Sequence, residues 1–359
     1  MAQRNTTTAK SKAAARRGKA AATTRATIVD VAREAGVSLG TVSRVINGNA
    51  SVRAELRHRV LATADRLGYA PHPAAQQMRA ASARAVGVMV SDMANPLFAA
   101  TVAGTEEVLY RSGYNMILTN SRDRPETEQE IISLFERRRF DGMIVTLSRE
   151  DDPATLQLLD RLSTPTVLLE RACHLPIDSV ATDHYAGVLQ AVQYLLGLGH
   201  RRIGLVTVTK AALPGRSRGE AYMAAHKAAR VPVDDALLSF DGFLPDAGYH
   251  AAYRMLVSPR PPTALVAGAT QMPGVLKAVR TLKLPVPRRL SLVSIGDTEV
   301  ASLHQPPLTA VRWELRKVGA AAAELLLARL TGSDQAKGPR RITLPTELVL
   351  RQSCARPHA

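Results

Sequence analysis

Cysteine is almost missing from this 359-residue chain, where Cys173 and Cys354 are the whole inventory. Two such residues exclude a disulfide framework and a Cys-based zinc site, and they make a reducing cytoplasm the natural setting. Long apolar runs are missing too. The richest, Val318 to Leu330, is broken by Glu324 and Arg329, so no membrane partner is expected. The phosphate-cradling Gly-x-x-x-x-Gly-Lys-Ser/Thr is absent, and no Gly-x-Gly-x-x-Gly follows the first core strand. Gly197-Leu198-Gly199-His200 reads as a helix-to-strand turn. His72, His174, His184, His200 and His250 are scattered without metal-ligand spacing, and no nucleophile stands beside a base. The sequence therefore predicts no cofactor, no metal and no catalytic residues.

Acidic residues are missing from one end. Residues 1–26 hold Arg4, Lys10, Lys12, Arg16, Arg17, Lys19 and Arg25 with no acid, and residues 27–84 hold eight Arg against Asp30, Glu34, Glu55 and Asp65. Of the formal net charge of +16, +11 falls on the first 84 residues and +5 on the other 275. A positive field concentrated on one small region points to a polyanion partner. Residues 1–26 resemble a transit peptide in composition but lack the apolar segment of a secretory signal. They read as a disordered basic arm, and composition alone leaves a functionless tail open.

What is present begins at Thr27. Thr27-x-x-Asp30 is a capping box, followed by Ile28, Val31, Ala32 and Ala35 at helical spacing. Gly36 supplies a left-handed helix end, and Ser38 can cap a second helix with Val42, Val45 and Ile46 buried. That leaves Leu39, Gly40, Ser43 and Arg44 facing outward. Two helices so joined make a helix-turn-helix, whose second member fits a major groove. Asn47-Gly48-Asn49 is a turn, and a third helix over about 54–67 puts Leu56, Val60, Leu61, Ala64 and Leu67 on one face. Tyr69-Ala70-Pro71-His72-Pro73 reads as an extended linker, and Ala74 to Ala81 as a short helix, marginal alone.

From Ala85 the pattern changes. Short β-branched runs (Val86–Val90, Met116–Thr119, Met143–Leu147, Thr166–Leu169, Ile203–Val208, Ala264–Ala267, Leu290–Ile295) alternate with helical stretches near 98–112, 126–138, 152–162, 185–197, 217–229, 247–257, 273–282 and 316–330. That alternation implies two parallel sheets wound with helices on both sides.

The run Ile28-Val29-Asp30-Val31-Ala32-x-x-Ala35-Gly36-Val37-Ser38-x-x-Thr41-Val42-Ser43-Arg44-Val45-x-Asn47 resembles the headpiece of the lactose-repressor (LacI/GalR) family of bacterial transcription regulators. Asn95-Pro96-x-Phe98, Asp141-Gly142, Asp183-x-x-x-Gly187, Leu198-Gly199-His200, Gly248-Tyr249 and Pro306-Pro307-Leu308-Thr309 resemble landmarks of the same family, so the likeness spans about 27–352. It implies an all-α helix-turn-helix headpiece and an α/β core of two Rossmann-like lobes, periplasmic-binding-protein-like. Beyond the basic tail read from composition at 1–26, it implies a headpiece at 27–73, a hinge helix at 74–83 and a core at 84–359. One lobe would take about 85–183 plus 311–337, the other about 184–310 plus 338–359.

The resemblance also implies roles. Leu39, Gly40 and Arg44 would meet base edges, with Arg44 able to grip guanine. Thr27, Ser38, Thr41, Ser43, Asn47 and Tyr69 would hold phosphates or position the helices, although Ser38 as a cap alone stays open. Ala75, Gln76 and Met78 would enter the minor groove as the hinge orders, Met78 as the apolar wedge; a plain linker is the other reading. In the core, Asp92, Asn95, Phe98, Glu170, Arg218, Phe243 and Asp297 would contact the effector. Gly296 stands where the family has the first of two Asp, and Gly268-Ala269 where Asn-Asp is common. Losing those acceptors while keeping Arg171, Lys210, Arg216 and Arg218 suggests a sparsely hydroxylated or anionic effector, such as a sugar acid. The same arginines as plain surface charge is the alternative. The expected partners are an inverted-repeat double-stranded DNA operator, a small-molecule effector and a second copy of the chain in a homodimer. A cytoplasmic small-molecule binder or sugar-converting enzyme on the same core is the competing class, and it leaves residues 27–81 unexplained.

Overall fold

The computed structural model describes residues 26–46, 52–69, 83–242, 245–333 and 338–357. The chain divides into two units, Met1–Ala81 and Ser82–Ala359. The expected tail residues 1–25, the hinge helix through residue 82, and Asn47, Ala75, Gln76, Met78 and Phe243 lie outside the described residues.

In the first unit the capping box forms. Asp30 N–H donates to Thr27 Oγ1 at 3.4 Å, and Asp30 Oδ2 accepts Thr27 N–H at 2.9 Å, starting α1 (Ile28–Ala35). Gly36 ends it at φ 64°, a conformation that costs an L-residue about 1–2 kcal/mol. The Val37 N–H reaches back to Ala32 O at 3.0 Å, closing the helix end. Ser38 Oγ accepts Thr41 N–H at 3.2 Å and so caps α2 (Leu39–Ile46). With α3 (Ala54–Arg66), these helices enclose Val31, Ala32, Ala35, Val42, Val45, Val60 and Ala64. One expectation is corrected here. Leu61 is 45% exposed while Thr63 is buried. At 100° per residue Leu61 lies about 60° beyond the stripe through 56, 60, 64 and 67, whereas 63 lies only about 20° from its other edge. The Thr63 hydroxyl is satisfied by Arg59 O at 2.9 Å.

The second unit carries two six-stranded sheets. The first joins β1 (Ala85–Val90), β2 (Asn115–Asn120), β3 (Gly142–Val145), β4 (Thr166–Leu169), β5 (Asp178–Thr182) and β11 (Arg341–Leu344) in the order β11-β5-β4-β3-β1-β2, all parallel. The second joins β6 (Ile203–Val206), β7 (Leu238–Ser239), β8 (Ala264–Gly268), β9 (Ser291–Ile295), β10 (Thr309–Arg312) and β12 (Glu347–Val349) in the order β12-β10-β9-β8-β6-β7, with only β12 antiparallel. Inner strands such as β3 and β8 are buried at every residue, which is why they read as unbroken apolar runs.

Helices cover both faces of each sheet. On the first, α4 (Pro96–Arg111) and α12 (Leu315–Leu330) pack on one side. On the other, α5 (Pro125–Arg137) and α6 (Pro153–Asp160) enclose Met89, Ile132, Phe135, Met143, Leu159 and Leu168. On the second sheet α7 (His184–Gly197) and α8 (Leu213–Ala229) lie opposite α9 (Pro245–Leu256) and α10 (Met272–Thr281), and the short α11 (Glu299–Leu303) follows β9.

The chain passes between lobes after β5, after β10 and after β11. The lobe division therefore differs from the expectation in two places. Arg341–Leu344 joins the first sheet rather than the second lobe, and residues 311–312 belong to the second sheet. Asp178 explains the first difference. Its carboxylate receives Arg340 N–H at 2.7 Å and the Arg329 fork at 2.7 and 2.9 Å, which holds the start of β11 beside β5. The crossovers are tied together: Asp183 N–H donates to Leu344 O at 2.8 Å, and Thr346 Oγ1 donates to Asp183 O at 3.1 Å.

Candidate functional site

Two surfaces carry candidate chemistry, and the first is α2. Its buried stripe, Val42 and Val45 with Ile46 half-buried, turns Leu39, Gly40 and Arg44 outward. Leu39 is 47% exposed, an unpaired apolar side chain at the first turn of the helix. Arg44 Nε donates to Gly40 O at 3.3 Å, which lays the side chain back along the helix. Ser38 Oγ and Thr41 Oγ1 lie 2.9 Å apart at the α2 N-terminus, where backbone N–H groups and the helix dipole favour an anion. Ser43 is half-buried on the same helix. Thr27 sits at the α1 N-terminus with its hydroxyl on Asp30 at 2.6 Å. Tyr69 is half-buried against the three-helix core.

The second surface is the cleft. At the crossover the lobes enclose a cavity of about 60 Å³ lined from the first lobe by Asn95, Leu97, Phe98, Thr101, Glu170 and Arg171. The second lobe and crossovers supply His184, Pro214, Arg218, Ile295 and Trp313. Typical ligand pockets hold roughly 300 Å³ or more, so the cleft in this arrangement is narrow. Asn95 caps α4, its Oδ1 accepting Leu97 N–H at 3.0 Å. Phe98 is 8% exposed in the wall.

A polar chain crosses between the lobes. Glu170 accepts Thr182 N–H at 3.2 Å and Thr182 Oγ1–H at 2.5 Å. His184 Nε2 lies 2.8 Å from Glu170 Oε2, and His184 Nδ1 lies 3.4 Å from Arg218 Nη2. Arg218 Nη1 donates to Thr207 Oγ1 at 3.1 Å. The arrangement fixes the tautomer: Nε2 carries the proton toward the carboxylate and Nδ1 accepts from the guanidinium. Burial pushes His184 below its ordinary value against the pull of Glu170, and Arg218 lowers it further; the imidazole is neutral at pH 7. Burial alone would raise the Glu170 carboxyl, but His184 and the Thr182 hydrogen bonds outweigh it and bring it to about 2. Burial lowers Arg218 to about 10 against the pull of Glu170, so it stays charged. Glu170 itself sits at φ 56°. That strain, about 1–3 kcal/mol for a non-glycine residue, persists only where surroundings over-determine it.

Four expected effector residues, Asn95, Phe98, Glu170 and Arg218, meet at this cavity. Two do not. Asp92 holds Ala94 N–H at 2.9 Å and shapes the loop outside the lining. Asp297 forms a bidentate pair with Arg351 at 2.7 and 2.8 Å, which occupies its carboxylate away from the lining. Of the four expected cations, Arg171 and Arg218 line the cavity, while Lys210 Nζ lies 4.3 Å from the Phe240 ring centre and Arg216 pairs with Glu150. The glycine at 296 has a structural reason. It takes φ 117°, and a Cβ there would lie 2.7 Å from that of Ala269.

Sequence reasoning missed His184 and Trp313, whose rings meet edge-to-face at 5.7 Å. The signal for Trp313 was available, since it is the chain's single tryptophan and follows a strand end. Among the described residues, no three His, Cys, Asp or Glu side chains converge as metal ligands. Among the described residues, no helix is long and apolar enough to cross a membrane.

Comparison with known proteins agrees with this geometry. Residues 27–72 match the family described as bacterial regulatory proteins, lacI family, and residues 192–354 match the periplasmic binding protein-like domain. The chain is 30% identical over 331 residues to the HTH-type transcriptional repressor PurR of Haemophilus influenzae (strain PittEE), covering 91% of this chain and 98% of that one. It is 30% identical over 332 residues to catabolite control protein A of Priestia megaterium, with the same coverage. Among solved structures, the lac repressor dimer bound to operator and the anti-inducer ONPF matches with TM-score 0.79 and 27% identity, covering 92% and 99% of the two chains. A complex of the transcriptional regulator CelR with cellobiose matches with TM-score 0.70 and 30% identity, covering 92% and 100%. These relatives are regulators rather than enzymes, which removes the sugar-converting alternative. The helix-turn-helix unit, the two-lobed core and full-length likeness to repressors establish that this chain belongs to the LacI family of DNA-binding transcriptional regulators.

Proposed function

We propose that the chain is a repressor that binds an inverted-repeat operator as a homodimer and releases or tightens its grip when a small molecule occupies the cleft. The observation that carries this reading is the Glu170–His184–Arg218 chain, because it joins the two lobes through the wall of the cavity. A ligand there contacts both lobes at once, so its affinity differs between lobe arrangements, and only such a difference moves an equilibrium. The proposed effector contacts are Asn95, Phe98, Glu170 and Arg218, with Phe243 nearby in sequence to the α9 N-terminus. The effector is anionic or poor in hydroxyls, since Arg171 and Arg218 stand opposite a single carboxylate.

On DNA, Leu39, Gly40 and Arg44 read base edges, while Thr27, Ser38, Thr41, Ser43, Asn47 and Tyr69 hold the backbone. Ala75, Gln76 and Met78 belong to the minor-groove hinge. A dimer is supported by apolar side chains left exposed on α4 and the edge strand β2, namely Tyr110, Ile117 and Leu118. Two-fold symmetry then matches two half-sites. The test is selection of oligonucleotides by the full-length chain at roughly 150 mM salt, where non-specific phosphate attraction is weak. Enrichment of symmetric repeats is expected, and enrichment of asymmetric or random sequences overturns the reading.

A further inference from the structure

The cleft is short of free acceptors. Glu170, the one carboxylate in the lining, already receives Thr182 N–H, Thr182 Oγ1–H and His184 Nε2–H. Asn95 Oδ1 takes Leu97 N–H at 3.0 Å, and His184 Nδ1 faces Arg218. Gly268 and Gly296 contribute no side chain. Donors, by contrast, remain. Arg218 Nε, Arg171 Nη2 and Trp313 Nε1 are buried without a hydrogen-bond partner. All three side chains line the cavity, at 5%, 1% and 9% exposure. The rest of the wall is mostly apolar, chiefly Leu97, Phe98, Val208, Pro214, Ile295 and Leu315, with the hydroxyls of Thr101 and Thr270 among them. Of the two guanidiniums, Arg171 also feels Glu150, Asp123 and Glu128 behind the lining, whereas Arg218 has only Glu170.

We infer that the effector is a small monocarboxylate on an apolar or aromatic body, its head taken by the free donors of Arg218, Arg171 and Trp313. Carboxylate oxygens accept from guanidinium forks in plane, which suits the unpaired guanidinium donors. A sugar, or a sugar acid beyond its carboxylate, brings several hydroxyl donors that meet few free acceptors, chiefly the Thr101 and Thr270 hydroxyls, and a buried unpaired hydroxyl is penalised. The inference rests on the effector reading above and narrows it.

The test uses the full-length chain in calorimetry and thermal shift, with isovalerate, benzoate and phenylacetate as probes. Benzamide, benzyl alcohol, glucose, gluconate and glucose 6-phosphate are the comparisons. At least one acid is expected to bind tenfold or more tighter than its uncharged counterpart and than every sugar. Arg218→Lys should weaken that acid at least tenfold. Trp313→Phe, which keeps the ring and removes the N–H, should weaken it several-fold, and Lys210→Ala, outside the lining, should leave it unchanged. Tighter binding of any sugar or sugar phosphate, or no acid raising the melting temperature at about 10 mM, overturns the assignment. Operator affinity measured alongside separates the two readings. A sugar that binds and shifts operator affinity keeps the regulator reading and overturns the carboxylate. An acid that binds without shifting operator affinity keeps the carboxylate and contradicts its role as effector.

Discussion

Glu150 closes the cleft from outside the cavity, and replacing it should open the lobes measurably. It belongs to the first lobe and is 6% exposed. Its carboxylate accepts Ala172 N–H at 3.2 Å within its own lobe and Leu213 N–H at 2.7 Å from the first turn of α8 across the cleft. It also pairs with Arg216, whose side chain is 38% exposed, and Glu150 N–H donates to Ala211 O at 3.1 Å. No side chain of its own caps α8, so Glu150 supplies that acceptor. Glu150→Gln keeps the shape and the bond to Ala211 but turns charged acceptors into neutral ones. A hydrogen bond to a charged group contributes about 1.5–3 kcal/mol and a neutral one about 0.5–1.5. The half-exposed Arg216 pair adds no more than about 1 kcal/mol. The closed arrangement should lose about 2 kcal/mol, close to a thirtyfold shift at 1.4 kcal/mol per decade. Native-state hydrogen exchange reads this directly. The Leu213 amide should lose roughly tenfold to thirtyfold of its protection, while amides of β6, deep in the second sheet, should keep theirs. Unchanged protection at Leu213 would refute the latch.

Other predictions follow from the same contacts. Arg44→Ala should weaken a selected operator by about 5-fold to 150-fold, the 1–3 kcal/mol of a bidentate base contact; an equal loss on scrambled DNA would assign Arg44 to phosphate instead. Gly36→Ala meets no atom within 4 Å, so its cost is the backbone alone, about 1–2 kcal/mol, read as faster exchange at Val31 and Val42; no change would contradict the left-handed cap. Acid should destabilise the core in two stages. Folding holds His184 below its ordinary 6.5 and Glu170 at about 2 rather than 4.5, so the unfolded chain binds more protons. Stability is then complete above about pH 6.5, falls as His184 must be charged, and falls again from about 4.5 toward 2. Urea midpoints measured from pH 8 to pH 2.5 check this, and a midpoint that rises on acidification would contradict it.

The headpiece was legible because each of its signals is local. A capping box, a left-handed glycine and a cap three residues before its partner amide are read within a few positions of one another, and all three form as spaced. The inner strands were legible for the same reason, through their unbroken apolar runs. The strands β5, β7, β10, β11 and β12 were not. They are two to five residues long, and Asp178-Ser179-Val180-Ala181-Thr182 or Arg341-Ile342-Thr343-Leu344 carry polar residues whose partners lie far along the chain. Asp178 finds Arg329 and Arg340 more than 150 positions away, a pairing that no window of sequence reveals. The cleft was half legible. Glu170 and Arg218 stood where the family resemblance placed them. Asp297 was misplaced because its pairing with Arg351 depends on the C-terminal segment folding back against β9 and β10. His184 was hidden in plain view beside Asp183, because a histidine one residue into a helix signals nothing until Glu170 is brought under it.

The central claim is that one chain couples a duplex-reading headpiece to a ligand held between two lobes. Linkage tests it most directly. The full-length chain is titrated with its selected operator in the presence and absence of a ligand shown to occupy the cleft, and ligand affinity is measured with and without saturating operator. The account predicts that operator affinity changes by a factor that reappears, in the same direction, in the affinity for the ligand. Two affinities that ignore one another would contradict it.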